Sequence, residues 1–138
     1  MPEMDAIYKE AQQGAARFSV AAKDFWAARP DDTQAWLRSC LARTRDLFQP
    51  WCMEILFAAG IRDTVRFSEL EALLGVSSKT LAAKLRILTD SGFLLRTVHD
   101  SQPVAIDYRL TRLGKHTVTM AAPLFSFLHE CGERPMER

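Results

Sequence analysis

Residues 75–92 read GVSSKTLAAKLRILTDSG, and they constrain the fold of this chain more than any other stretch. Ser77 is suited to cap a helix, since its hydroxyl can accept from an amide of the first turn. Leu81, Leu85 and Leu88 then recur at steps of four and three, which buries one side of that helix and leaves the other to solvent. Gly92 ends it and Gly75 ends the element before, because glycine enters the left-handed conformation of a helix stop at little cost. Just upstream, Ser68 and Glu71 in S-E-L-E stand at capping-box spacing and open a brief helix through Leu74. Two short helices joined by G-V-S, each with one apolar face, make a helix-turn-helix.

The flanking residues extend this unit. FLLRTVH at 93–99 and AIDYRL at 105–110 have strand character, with alternation clearest in Ile106, Tyr108 and Leu110, and DSQP between them is turn chemistry. VRF at 65–67 is a further short extended piece. Thr111 caps a last helix with an apolar face through Val118, Ala121, Ala122, Phe125 and Leu128, and Pro123 inside it should kink it. The expected fold is mainly α with a small β-hairpin wing: a winged helix-turn-helix with extra N-terminal helices and a C-terminal helix.

Ahead of the motif, Met4, Ile7, Ala11, Gly14, Phe18, Ala21 and Phe25 form a seam along one long helix. That seam packs either on the chain's own body or on a partner. Pro30 breaks the helix, and Asp31 with Gln34 three residues on suits a capped restart. A second helix runs to about Phe48, with Trp36, Leu37, Cys40, Leu41 and Thr44 on one flank. Pro50 can stand at a helix start, and Trp51, Ile55, Leu56 and Ala59 give a strongly apolar third helix ended by Gly60. The segments are 1–48, an N-terminal helical extension for dimerisation; 49–111, the winged helix-turn-helix; and 112–138, a C-terminal helix and tail. Together they make one domain's worth of chain.

The formal charge of +1 hides a gradient. Residues 1–76 hold nine Lys/Arg against eleven Asp/Glu, whereas residues 77–116 hold seven against three, a net of +4 where the motif lies. Positive charge concentrated there is what a phosphate backbone would select. Other function classes find less support. The longest mostly apolar run, LFAAGI, is far shorter than the ~20 residues that span a bilayer, and MPEMDAIYKE lacks the basic-then-apolar order of a secretory signal. A cytoplasmic protein without a membrane partner is expected. Cys40, Cys52 and Cys131 are odd in number and form no C-x-x-C, so free thiols are expected rather than disulfides or a metal site. His99, His116 and His129 are scattered, and no H-E-x-x-H, Walker loop, G-x-G-x-x-G or nucleophile elbow occurs, so neither catalysis nor a cofactor is expected.

RFSEL at 66, SSKTLAAKLRIL at 77, GFLLRTV at 92 and PVAIDYRLTRLG at 103, with QPWCMEIL at 49, resemble the HxlR-type winged helix-turn-helix transcriptional regulators, a MarR-like group. The resemblance covers roughly Leu47 to Leu128. It implies a homodimeric regulator that binds double-stranded DNA, with helix 77–91 in the major groove and the hairpin wing 93–110 on the backbone. Carried over by position, Ser77, Ser78, Lys79 and Thr80 would meet phosphate or a base edge at the helix start, and exposed Lys84 and Arg86 would reach flanking phosphates. Ala83, with Ala82, could touch thymine methyls. Arg96 occupies the family's wing-strand arginine position, and His99 and Arg109 complete the expected contacts. Ile7, Ala11, Phe18, Phe25, Phe125 and Leu128 would form the dimer interface.

Two departures stand out. Ala82 and Ala83 replace the polar, groove-facing residues common in the family, and Ala105 stands where the family has a wing arginine, so direct base readout rests on few side chains. These departures suit an alternative: a winged helix serving as a protein-interaction module with weak or no DNA binding. A further reading has the aromatic N-terminal helices, with Phe18, Phe25, Trp26 and Trp36, enclosing an unknown apolar small-molecule effector. Cys40 lies near the place of a redox thiol in some relatives, flanked by Arg38 and Arg43.

Overall fold

The computed structural model describes residues 2–133. In chain order the elements are α1 (Pro2–Ala27), α2 (Pro30–Leu47), α3 (Cys52–Ile61), β1 (Val65–Arg66), α4 (Phe67–Leu74), α5 (Ser78–Asp90), β2 (Leu94–His99), β3 (Ala105–Leu110) and α6 (Arg112–Glu133). Residues 134–138 of the expected C-terminal segment, and the side chain of Cys131, lie outside the described residues.

The stops around α5 form as the sequence expects. Gly75 takes the left-handed conformation (φ 64°) at the end of α4, and Gly92 does so (φ 84°) after α5. The Ser77 hydroxyl accepts from the Thr80 amide at 3.2 Å. Thr111 caps α6, its hydroxyl accepting from the Gly114 amide at 3.1 Å, and α6 runs on through Pro123.

Other boundaries differ from expectation. The Ser68–Glu71 box does not form: β1 ends at Arg66 and α4 starts at once, so Ser68 already lies in its first turn. The Arg66 amide donates instead to Glu69 Oε2 at 3.1 Å, and Glu71 accepts from the Ser78 hydroxyl. Asp31 is not the cap of α2, which begins at Pro30. Proline at a first helical position gives up only an amide with no intrahelical partner, and the acidic pair Asp31 and Asp32 then sits against the positive end of the helix dipole. Gly60 does not stop α3, which runs to Ile61. A Cβ on Gly60 would stand 3.2 Å from Val118 Cγ1, so the glycine permits close approach between α3 and α6. Trp51 precedes α3 at φ 73°, an uncommon conformation for a bulky residue.

The sheet has order β1-β3-β2, antiparallel throughout. The two-residue β1 joins the hairpin by pairing Val65 with Tyr108 and Arg66 with Asp107. In the hairpin Leu94 faces Leu110, Arg96 faces Tyr108 and Val98 faces Ile106. Because strand side chains alternate, these residues share one face, whereas Leu95, Thr97, His99, Asp107 and Arg109 share the other.

The chain forms two compact units, one from Ala42 to Thr119, the other comprising residues up to Leu41 and from Met120 onward. The first holds all the buried apolar residues described. Ile55, Leu56, Val65, Leu70, Leu81, Leu85, Leu88 and Leu94 are each at most 2% exposed, and each such side chain contributes roughly 1.5–3 kcal/mol by leaving water. In the second unit no described residue is buried. Its order comes from a corner between α1 and α2: Trp26 stacks on Trp36 (4.9 Å between centroids), Phe25 meets Trp26 edge-on, and the Arg29 guanidinium lies 4.1 Å over the Phe25 ring. The Thr33 hydroxyl is shared between the carbonyls of Trp26 and Arg29 at 3.0 and 2.9 Å.

Candidate nucleic-acid interface

Burial of Leu81, Leu85 and Leu88 fixes which side of α5 faces outward. That side presents Ser78, Lys79, Ala82, Ala83 and Arg86, all exposed. At its start the hydroxyls form a closed set. Ser77 Oγ accepts from the Thr80 amide and donates to Thr80 Oγ1 at 3.0 Å, while Ser78 Oγ donates to Glu71 of α4. Thr80 keeps its own hydroxyl proton, and the amides of Ser78 and Lys79 keep theirs, as the first turn of a helix dictates. The positive end of the helix dipole and two open amides therefore lie in the same first turn that carries the exposed Lys79, an arrangement suited to a phosphate oxygen.

Further along, Arg86 reaches Asp90 at 3.9 Å with both side chains largely in solvent. A pair of that kind is worth about 0.3–0.5 kcal/mol and leaves the guanidinium available. Lys84 departs from expectation. It is half-buried and donates from Nζ to Gln49 Oε1 at 3.2 Å, because its position on α5 turns it toward the residues ahead of α3. The same junction is tied by the Ser91 hydroxyl donating to Asp46 at 2.7 Å.

On the hairpin the register separates the expected contacts. Arg96 stands opposite Tyr108 and Arg109 opposite Leu95, so the two arginines project from opposite faces. His99 is engaged within the wing, its Nε2 lying 2.5 Å from Asp107 Oδ2, while Arg66 Nε lies 3.5 Å from Oδ1 of the same carboxylate. Asp107 thus joins β1, β2 and β3 and neutralises part of the local positive charge. Lys79, Arg96, Arg109, Arg112 and Lys115 are exposed and have no ion pair among the described residues. The fixing of Lys84 by Gln49 and of His99 by Asp107 had no local signal, since the partners are 35 and eight residues away in sequence.

The described thiols are free, Cys40 half-buried and Cys52 buried. Burial pushes the Cys52 thiol up from its ordinary range, opposed by the nearby Lys84 ammonium and reinforced by the Asp46 and Glu54 carboxylates. None of the helices described is long and apolar enough to cross a membrane.

Residues 47–137 match the HxlR-like helix-turn-helix family. The chain is 33% identical over 87 residues to the HTH-type transcriptional regulator Mb3122 of Mycobacterium bovis, covering 62% of this chain and 53% of that protein. It is 36% identical over 76 residues to the HTH-type transcriptional regulator YtfH of Escherichia coli K12, covering 54% and 60%. It therefore spans only about half to three-fifths of these relatives' lengths. Among solved structures, ytfH from Salmonella typhimurium matches with a TM-score of 0.58 at 34% identity, covering 64% of this chain and 79% of that one. The structure of ytcD shares the fold, with a TM-score of 0.63 at 24% identity over 69% and 97% of the two chains.

Proposed function

Since the chain belongs to the HxlR-like helix-turn-helix family, matched over residues 47–137, we propose that it is a DNA-binding transcriptional regulator acting as a homodimer. The observation that carries this reading is the start of α5, whose first turn holds two open amides, the Thr80 hydroxyl and the exposed Lys79, on a helix whose outward face also carries Arg86. In the major groove this end of α5 holds the backbone. Ala82 and Ala83 offer only apolar contact to a thymine methyl, so sequence preference comes mainly from the helix start and from DNA shape.

Arg96 reaches backbone from the wing, and His99 acts by holding the hairpin to Asp107. Lys84 contributes chiefly by bracing α5 against Gln49. Arg109, on the opposite face of the hairpin from Arg96, is not required for this contact surface.

The dimer reading rests on the unit without a buried core. Ile7, Phe18, Phe25 and Leu128 are 50–71% exposed. Tyr8, Ala11, Gly14, Phe18, Leu124 and Phe127 line an apolar groove of about 480 Å³. A second copy covers this surface, with Ala11, Gly14 and Ala15 permitting close helix approach. Phe125, half-buried on α6, belongs to the same interface.

The test is anisotropy binding to DNA from upstream of the protein's own gene, with sedimentation of the same samples. Expected are a dimer and a Kd that weakens steeply with salt. A Phe18→Asp, Leu124→Asp variant should sediment as a monomer and bind far more weakly. Binding indifferent to salt, or a wild-type monomer, would overturn the proposal and leave the interaction-module reading.

A further inference from the structure

The C-terminal end of β3, at Arg109 and Leu110, borders a cleft of about 600 Å³ that is also lined by the C-terminal end of α3 and the first turns of α6. A cleft of that size falls in the ordinary range of small-ligand sites. Gly60, Leu110 and Val118 supply apolar lining, and Arg109, Lys115 and Asp63 supply charge. Neither Arg109 nor Lys115 has an ion pair among the described residues, so the lining carries two cations against one carboxylate. One net positive charge beside an apolar surface matches one anionic head on a compact hydrocarbon body.

We infer that this cleft binds a small amphipathic monoanion, a carboxylate on a compact apolar body. The guanidinium of Arg109 suits a carboxylate through paired hydrogen bonds, and the Lys115 ammonium adds a point charge. The carbonyl end of α3 and the Asp63 carboxylate repel an anion, which orients the head toward Arg109 and Lys115 and lays the body against Leu110 and Val118. The apolar groove in the other unit lacks this charge: no charged residue lines it. Because Arg109 pairs with Leu95, the neighbour of Arg96 in β2, an occupied cleft holds the base of the wing. That regulatory consequence rests on the DNA-binding reading, whereas occupancy of the cleft does not.

The experiment titrates the full chain, without DNA, with sodium cyclohexanecarboxylate, with neutral cyclohexylmethanol and with sodium acetate, followed by calorimetry and by amide chemical shifts. Cyclohexanecarboxylate is expected to saturate with a Kd of about 1 mM or tighter and to move the amides of Gly60, Thr64, Leu110 and Thr119. Cyclohexylmethanol and acetate should each bind at least about tenfold more weakly, and Arg109→Gln and Lys115→Gln should each cost about tenfold, the scale of a lost charge-assisted bond. Both residues are exposed, so the variants should keep the fold, which thermal melting checks.

Equal binding of the alcohol would overturn the inference, as would equal binding of acetate, an adventitious ion only. Shifts centred on Phe18 and Leu124 would also overturn it. DNA binding assayed separately distinguishes the two readings: variants that weaken DNA binding but leave carboxylate binding unchanged assign the cations to DNA and end the proposal, whatever becomes of the regulator reading.

Discussion

Replacing Lys79 with glutamine isolates the proposed anchor at the start of α5. In the structure Lys79, Arg86 and Arg96 are exposed cations of the proposed contact surface; only Arg86 has an ion-pair partner among the described residues, and that pair is weak. In the proposed homodimer two protomers would supply about six phosphate contacts, for a slope of log K against log salt of about −5 and a loss of about a thousandfold in affinity between 50 and 200 mM. Lys79→Gln removes about two of the six, so the slope should relax to about −3.5 and the same salt step should cost only about 150-fold.

Folding can be separated from binding because a cation in a first helical turn opposes the dipole, so the substitution should leave stability unchanged or raise it by about 0.3–1 kcal/mol. The assay is fluorescence anisotropy on a labelled duplex at four or more salt concentrations, paired with urea denaturation. A variant of unchanged stability whose slope equals that of the wild type would refute the placement of Lys79 on phosphate. A slope relaxed equally by Lys115→Gln would show that the effect is only one of net charge.

Two further outcomes test the fold. Gly114→Ala should destabilise the protein by more than the roughly 1 kcal/mol typical of point substitutions, because the added Cβ would collide with the Phe93 carbonyl oxygen and press on Leu110; a urea midpoint within error of the wild type would refute that close approach. The Cys52 thiol, held up by burial, should resist iodoacetamide until the protein unfolds. Its folded form retains the proton at pH values where the unfolded thiol has lost it, so its contribution to stability is complete below the ordinary thiol range and declines as pH rises through it. Labelling of the native protein at the rate of an unfolded thiol would contradict the burial.

The sequence alone determined the elements whose causes are local. Gly75, Ser77, Gly92 and Thr111 act through their own backbone or one neighbouring turn, and the leucine spacing of α5 names its buried side wherever the helix is placed. The family resemblance was equally legible, since its motifs run in order through these positions. Tertiary structure decided what depends on strand register and on residues distant in sequence. Pairing of Val65 and Arg66 with β3 ends that strand and moves the start of α4, which dissolves the expected Ser68 cap. The close approach of Val118 makes Gly60 a packing position inside α3 rather than a stop. Gln49 withdraws Lys84 from solvent, Asp107 engages His99, and strand alternation sets Arg96 and Arg109 on opposite faces. A count of charges along the chain cannot distinguish these cations, because exposure and partnership are fixed only when the strands and helices meet.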